Sequence, residues 1–442
     1  MDIFFIQNDL MSKIMKTSTF IIFLILFCSI TNTACDKKSV PPEEPIATYK
    51  TKLEVVWTRY FHSDKIGGEL FLDPIFWNDH VVISSSHGSH YTKQQGIRVL
   101  NKLTGEDHPV WAHEPGGIVD QGNYMECIHI GGPDNNILFT GDALCLYAID
   151  LNTGQRLWKH KHYPNAGIHK FSMLGNIPLQ VYSAPSGGLS TSWCRIAKCD
   201  PETGEKTDLV ETWIEDNYEF LLTPPAWTIN NVGDTLIMFL SGSWNFRLVH
   251  GKMKTYCYNI TQKRMEWEKR DFTNGGDTGF LTPTIVSNNR VVFQALRSLH
   301  CFDIDTGELI WQYVPAPIEN YSSAQLLYNN EKIYIRCISG ITTCLNAQTG
   351  AVIWKTGEDY IPAPDGRMDI YDEKLYLAAW GDNVEFYLYC LSAENGDFIW
   401  QDKGPFNKIS GGVTIDQNTG YLYCTNNREI MCIDLNKSPK EE

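Results

Sequence analysis

Cysteine and histidine are the side chains of this 442-residue chain with the widest chemistry, as nucleophiles, metal ligands or disulfide partners, and it holds 13 and 12 of them. Cys257, Cys301, Cys344, Cys390 and Cys432 each stand two residues before an Asp, Asn or Ser. A fixed offset of this kind puts them at one equivalent position of a repeated unit, too far apart for the roughly 4.4–6.8 Å Cα separation of a disulfide. They are expected to be small, buried, free thiols. Ten of the twelve histidines fall between His62 and His169, but His87-Gly-Ser-His90 and His160-Lys-His162 lack the spacing of a zinc site. Solvated imidazoles are expected there, and no metal.

Cys35 has a different setting. Lys13 and Lys16 precede the apolar run Phe20–Ile30, and the small-residue stretch Thr31-Asn-Thr-Ala-Cys35 follows it. This is the order of a bacterial export signal. Eleven apolar residues are too few for a membrane-spanning helix, which needs about 20. Thr33-Ala34-Cys35 resembles a lipoprotein lipobox, with Asn32 where Leu is usual. Residues 1–34 are thus expected to be a signal peptide and Cys35 the lipidated residue. Residues 35–52, polar and Pro-rich, read as a flexible tether; fully extended, residues 36–52 would reach about 50 Å at ~3.3 Å each. The expected location is outside the cytoplasm, held by lipid at the periplasmic face of the outer membrane or at the cell surface.

The elements that position these residues come from a repeat. A short apolar strand leads to an Asp or Asn, a turn often ending Thr-Gly, and a Trp eight residues after the Asp or Asn. Asp150 to Trp158 and Asp303 to Trp311 are the cleanest copies, followed by Asn346 to Trp354 and Ser392 to Trp400. The copy at Asn259 keeps its spacing to Trp267 but has Gln262-Lys263 in place of Thr-Gly; Asn101 to Trp111 and Asp200 to Trp213 are stretched. A short polar side chain accepting backbone N–H groups and a Gly with positive φ make a tight turn. The Trp that follows can bury its large face against a neighbouring sheet.

The anchors recur every 43 to 59 residues, which fits one four-stranded propeller blade per repeat. Glu429–Asn436 begins an eighth copy that stops before its Trp, while Leu53–Tyr60 is a strand bearing Trp57 with no preceding turn. Joining them closes the ring and covers its edges. The expected fold is all-β: an eight-bladed β-propeller of four-stranded antiparallel blades over residues 53–442, its last blade closed by the N-terminal strand. The core Trp set is then Trp57, Trp111, Trp158, Trp213, Trp267, Trp311, Trp354 and Trp400. Asn230-Asn231, Asn288-Asn289 and Asn329-Asn330 are expected to turn first strands into second strands.

Three links between second and third strands look long: Ser84 to Gly96, Ser183 to Trp193 and Ser241 to Thr255. They carry His87, His90, Tyr91, Trp193, Trp244, Arg247 and His250, the aromatic and cationic mixture of a recognition surface for a protein segment or a glycan. The net charge of −15 excludes nucleic acid as a partner.

The spacing of anchor, Thr-Gly and Trp resembles the pyrroloquinoline-quinone-like (PQQ-like) repeat family over residues 53 to 436. A lipobox followed directly by an eight-bladed ring is similar to the propeller lipoproteins of outer-membrane β-barrel assembly. That resemblance implies a scaffold without catalytic residues, a monomer or a subunit of a hetero-complex, docking envelope proteins through strand edges and loops. Quinone-dependent dehydrogenases of the same fold use a vicinal disulfide and a calcium ion. This chain has no Cys-Cys pair and no Cys-x-x-Cys-His. No catalytic residue, no cofactor and no PQQ with calcium are expected.

Overall fold

The structure is a computed structural model. It describes residues 52–60, 73–86, 95–111, 125–142, 145–161, 171–185, 192–213, 219–221, 225–243, 252–270, 284–285, 289–295, 298–315, 326–336, 340–356, 367–380, 386–402, 412–425 and 429–439. These residues form eight antiparallel sheets, one per repeat. Blade 2 is typical: Met125–Gly131, Ile137–Asp142, Cys145–Asp150 and Arg156–Lys161 pair in sequence order. Blade 8 runs Val413–Asp416, Tyr421–Thr425 and Glu429–Asp434, and its outer strand is Val55–Tyr60. Thr58 pairs with Met431 and Tyr60 with Glu429, so the two ends of the chain close one sheet, as the half-repeats require.

Two blades depart from four regular strands. In blade 1, Ile75–Trp77, His80–Ser86 and Gln95–Asn101 form a three-stranded sheet, and among the described residues the fourth strand is reduced to one bridge between Leu100 and Asp107. Pro109 lies within this shortened stretch, just after His108, whose N–H still donates to Val99 O at 2.8 Å. In blade 4 the first strand is split into Glu219–Leu221 and Ala226–Ile229, both paired with Thr235–Ser243. The sequence between the pieces contains Pro224-Pro225, which removes donors.

Apolar residues of each blade face those of the next, and eight buried clusters fill the eight interfaces. Val81, Ile83 and Leu100 of blade 1 meet Tyr423, Ile430 and Cys432 of blade 8, which completes the ring.

Across six interfaces a Trp of one blade is stapled to the turn of the next. The indole Nε1–H donates to the carbonyl just after the anchor: Trp57 to Lys102 at 2.8 Å, Trp111 to Leu151 at 2.8 Å, Trp158 to Pro201 at 2.8 Å, Trp267 to Ile304 at 2.7 Å, Trp311 to Ala347 at 3.0 Å and Trp354 to Ala393 at 3.3 Å. The turn is preset by its anchor. Asn346 Oδ1 accepts from Gln348 N and Thr349 N, both at 2.9 Å, and Gly350 N returns to Asn346 O at 2.8 Å. Gly350 is required twice over. Its φ is +70°, and an added Cβ would lie 2.6 Å from Trp311 Cε3.

The backbone places Trp213 at a different register. In the typical blades the Trp pairs with the residue two before the anchor, as Trp311 does with Cys301. In blade 3 the bulge has moved outward, Ile196 pairs with Val210, and Trp213 lies farther along, opposite Trp193. The turn that would receive its indole is the one without Gly, where Lys263 holds φ +54°. Leu209 and Ile260 pack against the blade 3–4 cluster instead. Trp111 keeps its role despite the reduced strand and is fully buried.

His300 in blade 5 is 1% exposed, with Nε2 2.8 Å from Ser298 Oγ. Burial pushes its pKa down to about 4. The unfolded chain therefore takes the proton first, so the stability this residue contributes is whole above pH 6.5 and lost as pH falls toward 4. Relative to a His300→Gln variant, the natural protein is expected to lose about 2–3 kcal/mol more between pH 7 and pH 4.5. Urea unfolding of both at the two pH values measures it. Parallel losses would remove His300 from the account.

Candidate interaction site

Of the residues expected to form a recognition rim, His87, His90, Tyr91, Trp244, Arg247 and His250 lie outside the described residues, as does the lipidation candidate Cys35. Trp193 is placed by its backbone. It is not in a loop, because the third strand of blade 3 begins at Ser192 and Trp193 pairs with Ala184 and Trp213. The second strands also run farther than their polar sequence suggests, to Ser86, Pro185 and Ser243. The three links between second and third strands shorten accordingly.

The repeat cysteines are free and buried, as their spacing implies. Burial pushes the thiols of Cys257, Cys301 and Cys432 up to about 12 and those of Cys344 and Cys390 to about 11. Three sit directly across the ladder from a buried tyrosine, in the pairs Tyr334 with Cys344, Tyr376 with Cys390 and Tyr423 with Cys432. A thiol that high is neither a nucleophile nor a ready metal ligand near neutral pH. In the folded protein at pH 8 these five are expected to react with a thiol reagent at least a hundredfold more slowly than in 6 M guanidinium, read by peptide mapping of the modified sites. Rapid native labelling of any of them would refute their burial.

The histidines that are described also serve packing. The His160 ring lies tilted against Trp158 with ring centroids 4.9 Å apart, and its Nε2 lies 2.5 Å from Gly204 O. His80 and His108 meet edge to face beside Trp77, and burial holds both below the usual imidazole range. Among the described residues no three His, Cys, Asp or Glu side chains gather into a metal-holding group.

What the described surface does offer is an apolar outer rim. In seven blades the outer strand carries a β-bulge, and in six of these the extra residue is the one just before the Trp. A bulge sets two successive residues against one on the partner strand. In blades 2 and 4 to 7 both residues ahead of the Trp then face outward while the Trp turns in. In blades 5, 6 and 7 both are large and apolar: Leu309 and Ile310, Val352 and Ile353, Phe398 and Ile399. Together with Val314 they are 38–65% exposed. Runs of this kind on a soluble surface mark contact with a partner. The spacing that revealed the Trp also contains these pairs, but the period-two reading of a strand assigns one of each pair inward, so the sequence hides their joint exposure.

A family profile described as outer membrane protein assembly factor BamB matches residues 195–437. Tetrathionate hydrolase of Acidithiobacillus ferrooxidans is 26% identical over 113 residues, 25% of this chain and 21% of that protein. The dehydrogenase subunit of a quinone alcohol dehydrogenase from Gluconobacter oxydans is 25% identical over 182 residues, 36% of this chain and 24% of that protein. The chain therefore matches no more than 24% of the length of either curated relative. Among solved structures, BamB from Moraxella catarrhalis superposes with a TM-score of 0.56 at 14% identity, over 87% of this chain and 100% of that one, a likeness of fold.

Proposed function

Because this chain belongs to the PQQ-like propeller family whose profile is described as outer membrane protein assembly factor BamB, we propose that it is a non-catalytic, protein-binding scaffold of the cell envelope. It is held by lipid on Cys35 at the periplasmic face of the outer membrane or at the cell surface, and it serves outer-membrane protein assembly. The observation that carries this reading is the rim of exposed apolar pairs on blades 5 to 7. The repeat residues behind it, Trp, Gly, anchor and Cys, are engaged in holding blades together. Activity toward a partner then falls to the surface.

Metabolic labelling with an alkyne fatty acid tests the anchor. Label is expected on the natural chain and not on Cys35→Ser, with only the former sedimenting with outer membranes. Affinity capture in mild detergent is expected to recover a protein of the barrel-assembly complex. Label on Cys35→Ser, or capture without any envelope protein, would overturn the reading.

The match to a quinone alcohol dehydrogenase subunit favours one competitor. One feature of the sequence speaks against its cofactor: the chain has no adjacent cysteines to form the vicinal disulfide. Dye reduction by the chain after incubation with PQQ and calcium would reverse the choice. A glycan ligand, the third possibility, rests on loops outside the described residues, and sugar-dependent quenching of tryptophan fluorescence would reveal it.

A further inference from the structure

We propose that the outer rim of blades 5 to 7 docks an elongated protein segment that carries apolar side chains beside lysine or arginine. The proposal rests on the scaffold reading and names the chemistry of its partner. Equivalence between repeats singles out the rim. Solvent alone favours polar residues at both outward bulge positions, and blades 2 and 4 each have one, Arg156 with Leu157 and Glu266 with Met265, while in blade 3 Asp208 is exposed and Leu209 packs against the core. In blade 8, Val55 packs inward against the core and leaves Val56 outside. Three consecutive blades instead present Leu309-Ile310, Val352-Ile353 and Phe398-Ile399, both members exposed.

Charge selects the occupant. Asp305 and Glu308 are exposed at the turn end of blade 5, Glu331 at that of blade 6, and Glu394 and Asp397 at that of blade 7, and Lys355 is the only cation in the described outer strands Leu309–Tyr313, Val352–Lys355 and Phe398–Asp402. An apolar surface framed by acids attracts a cationic segment and disfavours an anionic bilayer. A second copy of this chain, with a net charge of −15, meets the same repulsion. The bulges interrupt a continuous added strand. Contact therefore comes through the side-chain pairs, and reaching three successive blades requires an elongated segment.

The test uses the full chain and two 14-residue fluorescent peptides, one alternating valine with lysine and one alternating valine with glutamate. The lysine peptide is expected to bind at least tenfold more tightly, and more weakly as salt rises. Changing the six rim residues Leu309, Ile310, Val352, Ile353, Phe398 and Ile399 to Thr is expected to weaken it at least tenfold. Leu157→Thr with Met265→Thr, on the other blades, is expected to change nothing. Should the six-fold variant misfold, the charge reversal Glu308→Lys, Glu394→Lys and Asp397→Lys decides, because it is expected to transfer the preference to the glutamate peptide. Equal binding of the two peptides, or lysine-peptide binding unchanged in a folded rim variant or in the charge reversal, would overturn the proposal. So would sedimentation showing a dimer that the rim variant dissociates, since the occupant would then be a second copy. Envelope capture that survives in the rim variant would leave the scaffold standing and remove only this site.

Discussion

Changing Trp311 to alanine is expected to lower stability by about 3–5 kcal/mol. The indole is buried between blades 5 and 6, donates to Ala347 O at 3.0 Å and lies on Gly350. Truncation removes the packing and leaves a void that neighbouring sheets, already paired internally, are poorly placed to fill. Gly350→Ala is expected to cost roughly 2–3 kcal/mol, part from the left-handed φ and part from the Cβ that meets Trp311. The diagnostic result is the double variant. With the indole gone the collision vanishes, so Gly350→Ala should then cost only about 1 kcal/mol, and the two changes should be less than additive by about 1–2 kcal/mol. Urea unfolding of the four proteins measures the cycle, and strict additivity would contradict a staple built from both residues. Blade 4 already shows the arrangement: where the preceding blade brings no Trp into register, Lys263 occupies the glycine position.

Removing residues 1–60 should have the largest effect of all. Leu53 is buried in the blade 7–8 cluster, Val55–Tyr60 pairs with Glu429–Asp434, and Trp57 reaches across to the anchor turn of blade 1 at Lys102. The same junction holds the Lys102–Asp416 ion pair at 2.8 Å and the Tyr423 hydroxyl donating to Lys102 O at 3.1 Å. Without the first strand, a buried third strand becomes an open edge and one interface loses its Trp. A loss on the order of 5–10 kcal/mol, comparable to the whole stability of an ordinary domain, is expected. Loss of a cooperative thermal transition and aggregation through the exposed edge would report it. A peptide of residues 49–62 added in trans should restore the transition. A shortened protein that melts cooperatively within a few degrees of the parent would show that closure contributes little.

The parts of this protein that could be read directly are those whose demands are local. An Asp or Asn that caps a turn, a Gly that supplies positive φ and a Trp at fixed distance are requirements of neighbouring residues on one another, so they recur at constant spacing. Blade number, closure by both chain ends and the burial of the five cysteines follow from that recurrence. The irregularity of blade 1 was also present in plain view, in the spacing stretched from Asn101 to Trp111. So was the turn Asp416-Gln-Asn-Thr-Gly420, which repeats the anchor motif but joins the first and second strands of blade 8, with Gly420 N bonding Asp416 O at 2.8 Å.

Which face each strand residue presents is a different matter. Alternation along a strand gives two sides, and a bulge shifts the phase between them; its position depends on how the strand registers with its partner and on what the next blade has room for. Tertiary packing therefore decided that Trp213 falls outside the register of the other repeat tryptophans and that Trp193 belongs to a strand. It also decided that Leu309 with Ile310, Val352 with Ile353 and Phe398 with Ile399 all face solvent. Hydrogen-bonded turns are specified by a few adjacent residues, so composition and spacing alone determined the ring. A surface is specified by the mutual phase of strands far apart in the chain, so only the folded ring determined where a partner could meet it.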